Sequence, residues 1–415
     1  MLGTVIVCAF LEVFLSFLPP KKLREWFPPL ITGITVLLIG AALTGTGMKY
    51  WGGGVVCAEM GWKMHSQVAS LVGFGDGMVS PIPSAVCEAG EVALPYGSAE
   101  FIGLGLSVII MLVLIEIFGS AFMKNANVII ALLFGYFIAG VSSYEDADGT
   151  KYEYVTSSKI DEAPWFTFLW VESFTIGFYG PAVLPLLVAF LVTSVESIGD
   201  IGATYEASEL ELDTEQHSQS VQGGLLADGL SSIFASVMTT MPNTTFSQNN
   251  GVISMTKCAS RHAGIACGVW LVFFGLFGKI AGIITSIPDC VIGGMTIFLF
   301  SNVFTSGLKI ISAVEIESRR NRFIIAMSMA FGLGVTVWPY AFQDMRASSY
   351  TAQFWTCEDC DAGEKGVRNA ISIFMSTGYC VGTVVALLLN AMLPADAEVI
   401  RETPNVDDSI VDTKL

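Results

Sequence analysis

The stretch Thr244–Lys257 reads TTFSQNNGVISMTK and lies between apolar runs. Its Gln248 carries one acceptor and two donors, so it can pair in bidentate fashion with any ligand edge that sets N–H beside C=O. Cyclic ureides, among them purine and pyrimidine diones, present that edge. Gly251 adds no side-chain bulk and lets backbone approach a ligand closely. Spacing alone is equally compatible with Gln248 and Asn249 merely capping a break between two helices.

A second constellation is VESIGDIGATYEASE, starting at Val195. Glu196 ends a hydrophobic run, and Asp200 follows one helical turn later on the same face. Ionisable groups within membrane segments are costly and mark functional pathways. A carboxylate there can accept a ligand N–H or take up a proton. The plainer reading is an interfacial acid at a helix end. Asp228, in LLADGLSS, is a third candidate. Glu12, Glu116 and Lys279 also fall in apolar runs. The two acids are expected to hydrogen-bond between helices, and Lys279 to snorkel outward.

These groups must be positioned by membrane helices. Of the 415 residues, 53% are hydrophobic and 14% charged, and the mean hydropathy is +0.64. That composition is the mark of a polytopic membrane protein. Forty-two glycines fit closely packed membrane helices. The net charge of −17 comes mostly from acids in polar stretches, which read as solvated loops. There is no basic patch for nucleic acid, and no nucleophile–base pair or metal-ligand cluster of the kind an enzyme would need.

Apolar segments recur at Leu2–Leu18, Phe27–Leu43, Phe101–Phe118, Val128–Val141, Ala182–Val195, Gly223–Thr240, Gly264–Ile287, Val291–Ile311, Phe323–Phe342 and Ile371–Leu393. In lipid, each is expected to be helical. Phe27–Leu43 and Val128–Val141 are short and glycine-bearing, so tilt or burial within the bundle is expected. The polar Thr244–Lys257 stretch then reads as a further, broken crossing, giving about eleven segments. On that count Lys21, Lys22, Arg24, Lys124, Lys257, Arg261, Arg319, Arg320 and Arg322 all fall on one side, the cytoplasm. Loops 47–100, 144–178 and 343–368 fall outside, where cysteines oxidise. A Cys57–Cys87 bridge is expected, and Cys357 and Cys360 form a CxxC without the context of a redox motif.

The run QNNGVISMTK resembles the signature of the nucleobase–ascorbate transporter family: Gln, Glu or Pro, then Asn-x-Gly, four variable residues, Thr and a basic residue or Gly. ESIGD, ADG and QNNG occur in the family's order and spacing, and the likeness covers essentially the whole chain. It is greatest to uric acid–xanthine permeases, whose signature opens with Gln. Ascorbate members open with Pro, and uracil and many plant members with Glu. The family's first segments, with a Gln-His pair, have no counterpart here; His65, His217 and His262 lie in loops or at segment ends. Met1 stands directly against an apolar segment, so upstream sequence is expected to be missing.

The resemblance implies about fourteen crossings in two inverted repeats, with a core domain that carries substrate against a gate. It assigns 1–20 and 181–288 to the core, 21–180 and 289–393 to the gate, and 394–415 to a cytoplasmic tail. Glu196 and Gln248 match the side chains that grip a purine, with Phe246 and Ser247 as the backbone beside it. Asn249, Gly251, Thr256 and Lys257 match the rest of the signature; Lys257 stands where uric acid–xanthine permeases mostly carry Arg. Asp228 and Asp200 match acids tied to coupling and to orienting the site. The implied activity is proton-coupled uptake of xanthine and uric acid by an elevator-type multi-pass carrier. No cofactor is needed beyond the coupling proton. A plasma-membrane location, lipid neighbours and a homodimer joined through the gate follow by analogy. The alternatives are a uracil or ascorbate carrier and a short paralogue without transport.

The side assigned to the basic clusters puts the C-terminus in the cytoplasm. A pH-sensitive fluorescent tag after Leu415 should be indifferent to external acid in intact cells; quenching by external acid would reverse the topology.

Overall fold

The computed structural model describes residues 1–19, 22, 26–59, 86–145, 148–155, 158–168, 174–211, 214–246, 249, 253, 256–312, 314–338 and 361–394. The described chain is mostly helical. Its helices are α1 (Leu2–Ser16), α2 (Pro29–Trp51), α3 (Ala99–Phe118), α4 (Ala121–Asn125), α5 (Asn127–Val141), α6 (Ser158–Glu162), α7 (Val183–Ala207), α8 (Glu215–Val237), α9 (Arg261–Leu276), α10 (Gly278–Thr285), α11 (Asp289–Ser312), α12 (Arg319–Val337), α13 (Ala362–Ser376) and α14 (Gly378–Met392). By length and apolar character, α2, α3 and α11 suffice to cross a membrane, and α9 with α10 would make a fourth span.

Two sets of helices pack most closely. One is α1 with α7 and α8; the other joins α2, α3, α5, α11, α12 and α14. The seam between α2 and α11 is the most extensive and rests on glycine. Gly33, Gly40 and Gly47 recur every two helical turns and abut Ile311, Phe304 and Ile297 in antiparallel order. From the opposite side, Gly307 and Gly293 abut the backbone of Leu37 and Trp51. A Cβ on Gly40 would collide with the Phe304 backbone. The helices therefore approach by backbone contact, the arrangement small residues permit where lipid supplies no hydrophobic drive.

Several helices depart from their expected form. The segment expected from Phe27 to Leu43 is the 23-residue α2, buried along much of its length. α5 is not enclosed: Ala131, Gly135 and Ala139 face the bundle, while Ile129, Leu133, Phe137 and Val141 are exposed. Gly264–Ile287 is not one straight crossing, because α9 and α10 meet at 90°. Gly278 at this corner lies against Pro164, and the Leu276 carbonyl freed there accepts from Thr167 N–H at 2.9 Å. Lys279 does not snorkel outward. Its Nζ donates to the carbonyls of Ile160 and Asp161 at 2.7 and 3.0 Å, which caps α6. Lys159 returns the contact to the Thr285 carbonyl of α10 at 3.3 Å. Ile371–Leu393 is two helices that meet at Thr377, and the helical conformation already begins at Ala362, within the expected loop 343–368.

The loops expected outside carry two hairpins. Val86–Ala89 (β1) pairs antiparallel with Val92–Pro95 (β2), and Ser143–Glu145 (β3) with Lys151–Glu153 (β4). Gly90 opens the two-residue β1–β2 loop with φ +67, as such loops require. A Cβ there would also strike the Glu153 and Tyr154 backbone, where Glu91 N–H donates to the Glu153 carbonyl at 3.0 Å. Cys57 and Cys87 are joined in a disulfide with Cα atoms 5.5 Å apart. Closing its 30-residue interval removes about 3–4 kcal/mol of unfolded-chain freedom. Cys87 then packs with Phe101, Leu104 and Val108 of α3, so the cap is continuous with the helical core. Cys357 and Cys360, Lys21 and Arg24, and the tail from 395 onward lie outside the described residues.

Enlarging the glycine seam should be costly. Gly307→Val should lower stability by about 1–3 kcal/mol or more through overpacking, whereas Gly103→Ala, which meets open space, should not. Thermal unfolding of the solubilised protein measures both.

Candidate functional site

The candidate residues converge where α1, α7 and α8 meet the residues following α8. α7 continues through Glu196 to Ala207, so Thr193, Ser197 and Asp200 fall on successive turns rather than after a helix end. Asp200 is 5% exposed, and Glu196 is half-buried. Glu196 also lies within electrostatic reach of Tyr379 on α14. On α8, Asp228 is 7% exposed. Its Oδ2 accepts from Ser197 Oγ at 2.7 Å, and Thr244 donates to the same carboxylate. Ser197 Oγ is also 3.5 Å from Thr245 Oγ1. On α1, Glu12 is fully buried and its Oε1 accepts from Thr193 Oγ1 at 2.5 Å. That is the interhelical hydrogen bond expected of it. Glu116 differs: it pairs at the surface with Lys124 at 3.7 Å.

α8 ends before the signature, and the way it ends exposes backbone to the site. Thr239 takes φ +61, and Thr240 N–H bonds to the Ala235 carbonyl at 3.0 Å. This is a left-handed helix stop without the usual glycine. A β-branched residue tolerates that conformation poorly. Residues 241–246 form neither helix nor strand. Ser232 Oγ reaches back from α8 to hold the Asn243 carbonyl at 2.7 Å. The α8 hydroxyl and carboxylate thus take up polar groups of the non-helical stretch, as membrane depth demands.

Beyond it, Asn249, Ile253 and Thr256 are helical, and Asn249 N–H bonds to the Phe246 carbonyl at 3.0 Å. Lys257 takes φ 55 and is exposed, which turns the chain out of that helical stretch. Phe246 is 60% exposed. The site therefore gathers Asp228 with Ser197, Thr244 and Thr245, and keeps Glu196 and Asp200 on the adjoining face of α7. Asn249 and Lys257 face outward. Gln248, Ser247 and Gly251 lie outside the described residues, as does His65. Among the described residues no group of three or more His, Cys, Asp or Glu could hold a metal ion.

Comparison with known proteins places this arrangement. A model of the Permease family matches residues 1–75 and 70–341. The chain is 40% identical over 398 residues to a uric acid-xanthine permease of Emericella nidulans, covering 96% of this chain and 62% of that protein. It is 39% identical over 401 residues to a purine permease of the same organism, with 96% and 62% covered. Against xanthine permease XanQ of Escherichia coli, identity is 31% over 394 residues, with 95% and 70% covered. The family match and the apolar helices make the chain a membrane protein. The chain belongs to this permease family, the nucleobase–ascorbate transporters, on the side of the uric acid–xanthine permeases. It spans about 62% of the length of its two Emericella relatives.

Sequence reading named the acids but not the hydroxyls around them: Thr193, Ser197 and Thr244 on the carboxylates, Ser232 on the Asn243 carbonyl and Thr245 beside Ser197. The signal was present in the one-turn spacing of Thr193 and Ser197 beside Glu196 and in the paired threonines that open the polar stretch. Removing one donor should loosen the site without emptying it. Ser197→Ala should cost about 1–3 kcal/mol, and Ser197→Thr, which keeps the hydroxyl, should recover most of it. Chemical or thermal unfolding of the two variants checks this.

Proposed function

We propose that this chain carries a purine across the membrane, with xanthine and uric acid as its substrates. The observation that carries the reading is QNNGVISMTK, opening with Gln248, set directly after an unwound helix end whose polar groups are held by buried Asp228 and its hydroxyl partners. The names of the relatives, uric acid-xanthine permease, purine permease and xanthine permease, point the same way. In this reading Gln248 pairs with an adjacent N–H and C=O of the purine. Glu196 accepts a second ring N–H, and the backbone at Phe246 and Ser247 lines the ligand. Asn249, Gly251, Thr256 and Lys257 hold the signature's shape, while Asp200 and Asp228 orient the site and serve coupling to protons.

The transport cycle we infer is elevator-like. α1, α7 and α8, with the signature and α9–α10, form the core (1–20 and 181–288), and the remaining membrane helices form the gate (21–180 and 289–393). The separation of the helices into two closely packed sets supports this division. Inverted repeats, about eleven segments here, a cytoplasmic tail over 394–415, a plasma-membrane location with surrounding lipid and a gate-mediated homodimer belong to the same proposal. No cofactor other than the coupling proton enters it.

Competition for labelled xanthine by unlabelled purines tests the reading. Glu196→Gln and Gln248→Ala should each weaken xanthine by roughly 5- to 150-fold, the effect of leaving one desolvated ligand group unpaired. Gln248→Glu should change the order of preference among purines. Binding like the parent's in both of the first two variants would move the purine elsewhere.

A further inference from the structure

We propose that Glu12 and Asp228 together form a buried seat for the monovalent cation, proton or sodium, whose movement accompanies transport. The proposal rests on the transport reading above and adds Glu12, which that reading does not use. α1 packs against both α7 and α8, and its Glu12 is fully buried between them. Oε1 is taken by Thr193, but Oε2 is enclosed and has no hydrogen-bond partner among the described residues. A carboxylate oxygen buried without a donor is expensive unless a cation or proton completes it.

What Glu12 faces sharpens the need. Gly229 lies against α1 so closely that a Cβ there would stand 3.1 Å from Glu12 Cβ, which brings the neighbouring Asp228 to the same level. The two carboxylates feel each other's charge. The charged groups on the packed helices are Glu196, Asp200 and Glu206 from α7 and Glu215 and Asp228 from α8, all acids, with Glu206 paired to Lys309 of α11. His217, on the first turn of α8, stacks edge-on against Tyr205 instead. α1, α7 and α8 contain no lysine or arginine, and neither do residues 243–246. Like charges in a low-dielectric site repel strongly without a counter-ion. A small cation held between Glu12 Oε2 and Asp228 would relieve the repulsion. The hydroxyls of Thr193, Ser197 and Thr244, already donating to the carboxylates, keep lone pairs for it.

The test needs no purine. The full chain, solubilised in detergent, is unfolded thermally as the pH is lowered from about 8 to about 6 in choline chloride, then as sodium replaces choline at about pH 8 and constant ionic strength. A cation that binds only the folded form raises the midpoint in proportion to the logarithm of its concentration. The parent and Glu116→Gln, an exposed acid far from the seat, should show such a rise. Glu12→Gln and Asp228→Asn should lose it, and where one of them fails to accumulate the other decides. A rise with acid alone identifies the proton, and a rise with sodium identifies sodium. A parent indifferent to both, or either variant responding like the parent, overturns the seat. Its failure leaves xanthine competition untouched, and a chain that binds the cation but no purine sinks only the purine reading.

Discussion

A helix that stops inside a hydrocarbon layer strands its last carbonyls and the first amides of whatever follows, and no water is there to take them. The region after α8 is organised around that constraint. Thr239 turns the chain left-handed, Thr240 N–H returns to Ala235, and Ser232 captures the Asn243 carbonyl. Asp228 then takes Thr244 and Ser197. Each of these groups is polar because the backbone beside it is irregular, and the irregularity is what allows backbone to face a ligand. The buried acid and the unwound stretch are one device: without Asp228 the Thr244 hydroxyl loses its acceptor, and without Thr244 the carboxylate loses one of its two donors.

The two packed sets of helices are held by different physics. Between α2 and α11 the contact is steric, backbone against backbone through glycine, and it admits one register only, because a shift of a residue would drive side chains into the seam. Between α1, α7 and α8 an apolar cluster of Leu15, Val195, Ile198, Val221 and Leu225 is crossed by polar links: Thr193 to Glu12, Ser197 to Asp228, and Gln222 of α8 to the Leu18 carbonyl beyond α1 at 2.7 Å. Hydrogen bonds between membrane helices contribute only about 0.6 kcal/mol each on average, because exchanged partners are available. In the cycle proposed above, a dry glycine seam would suit the frame, and the hydroxyl-bridged group the part that resets its contacts.

The sequence exposes the helices more readily than their ends. The apolar runs at Leu2, Phe101 and Val291 lie where α1, α3 and α11 form, since composition alone compels a helix in lipid. The corner at Phe277 was not legible. No proline marks it, and apart from Lys279 the run from Gly264 to Ile283 is apolar; the bend is set by a loop far away in sequence, through Pro164, Thr167 and the Lys279 cap. Lys279 was misread for the same reason, since snorkelling is a local argument and its real partners are carbonyls more than a hundred residues earlier. At the site, the costly residue types Glu196, Asp200 and Asp228 announced themselves. The serines and threonines gave only a weak signal in their spacing, because hydroxyls satisfy helix carbonyls everywhere, and the structure was needed to show which carboxylate each faces.

The surface between α7 and the glycine-seamed frame follows from the same distinction. Val36 and Ile39 of α2, Ala203 of α7, and Val303 and Ile310 of α11 form one apolar cluster, and Gly199 lets α7 settle against Val36 and Thr32. A charged link across it joins Glu206 to Lys309 at 3.2 Å, where Lys309 is more than half exposed. An exposed pair of this kind contributes little, of the order of 0–1 kcal/mol. Small and aliphatic side chains give area without direction, so displacement along the contact breaks few specific bonds. It is opposed mainly by steps in side-chain height, which Gly199 and Ala203 keep low. Thr193 and Ser197 of α7 instead face the carboxylates of α1 and α8. In the elevator-like cycle proposed above, a motion carrying α7 along the frame would leave Thr193, Ser197 and their carboxylates together while the apolar face yields.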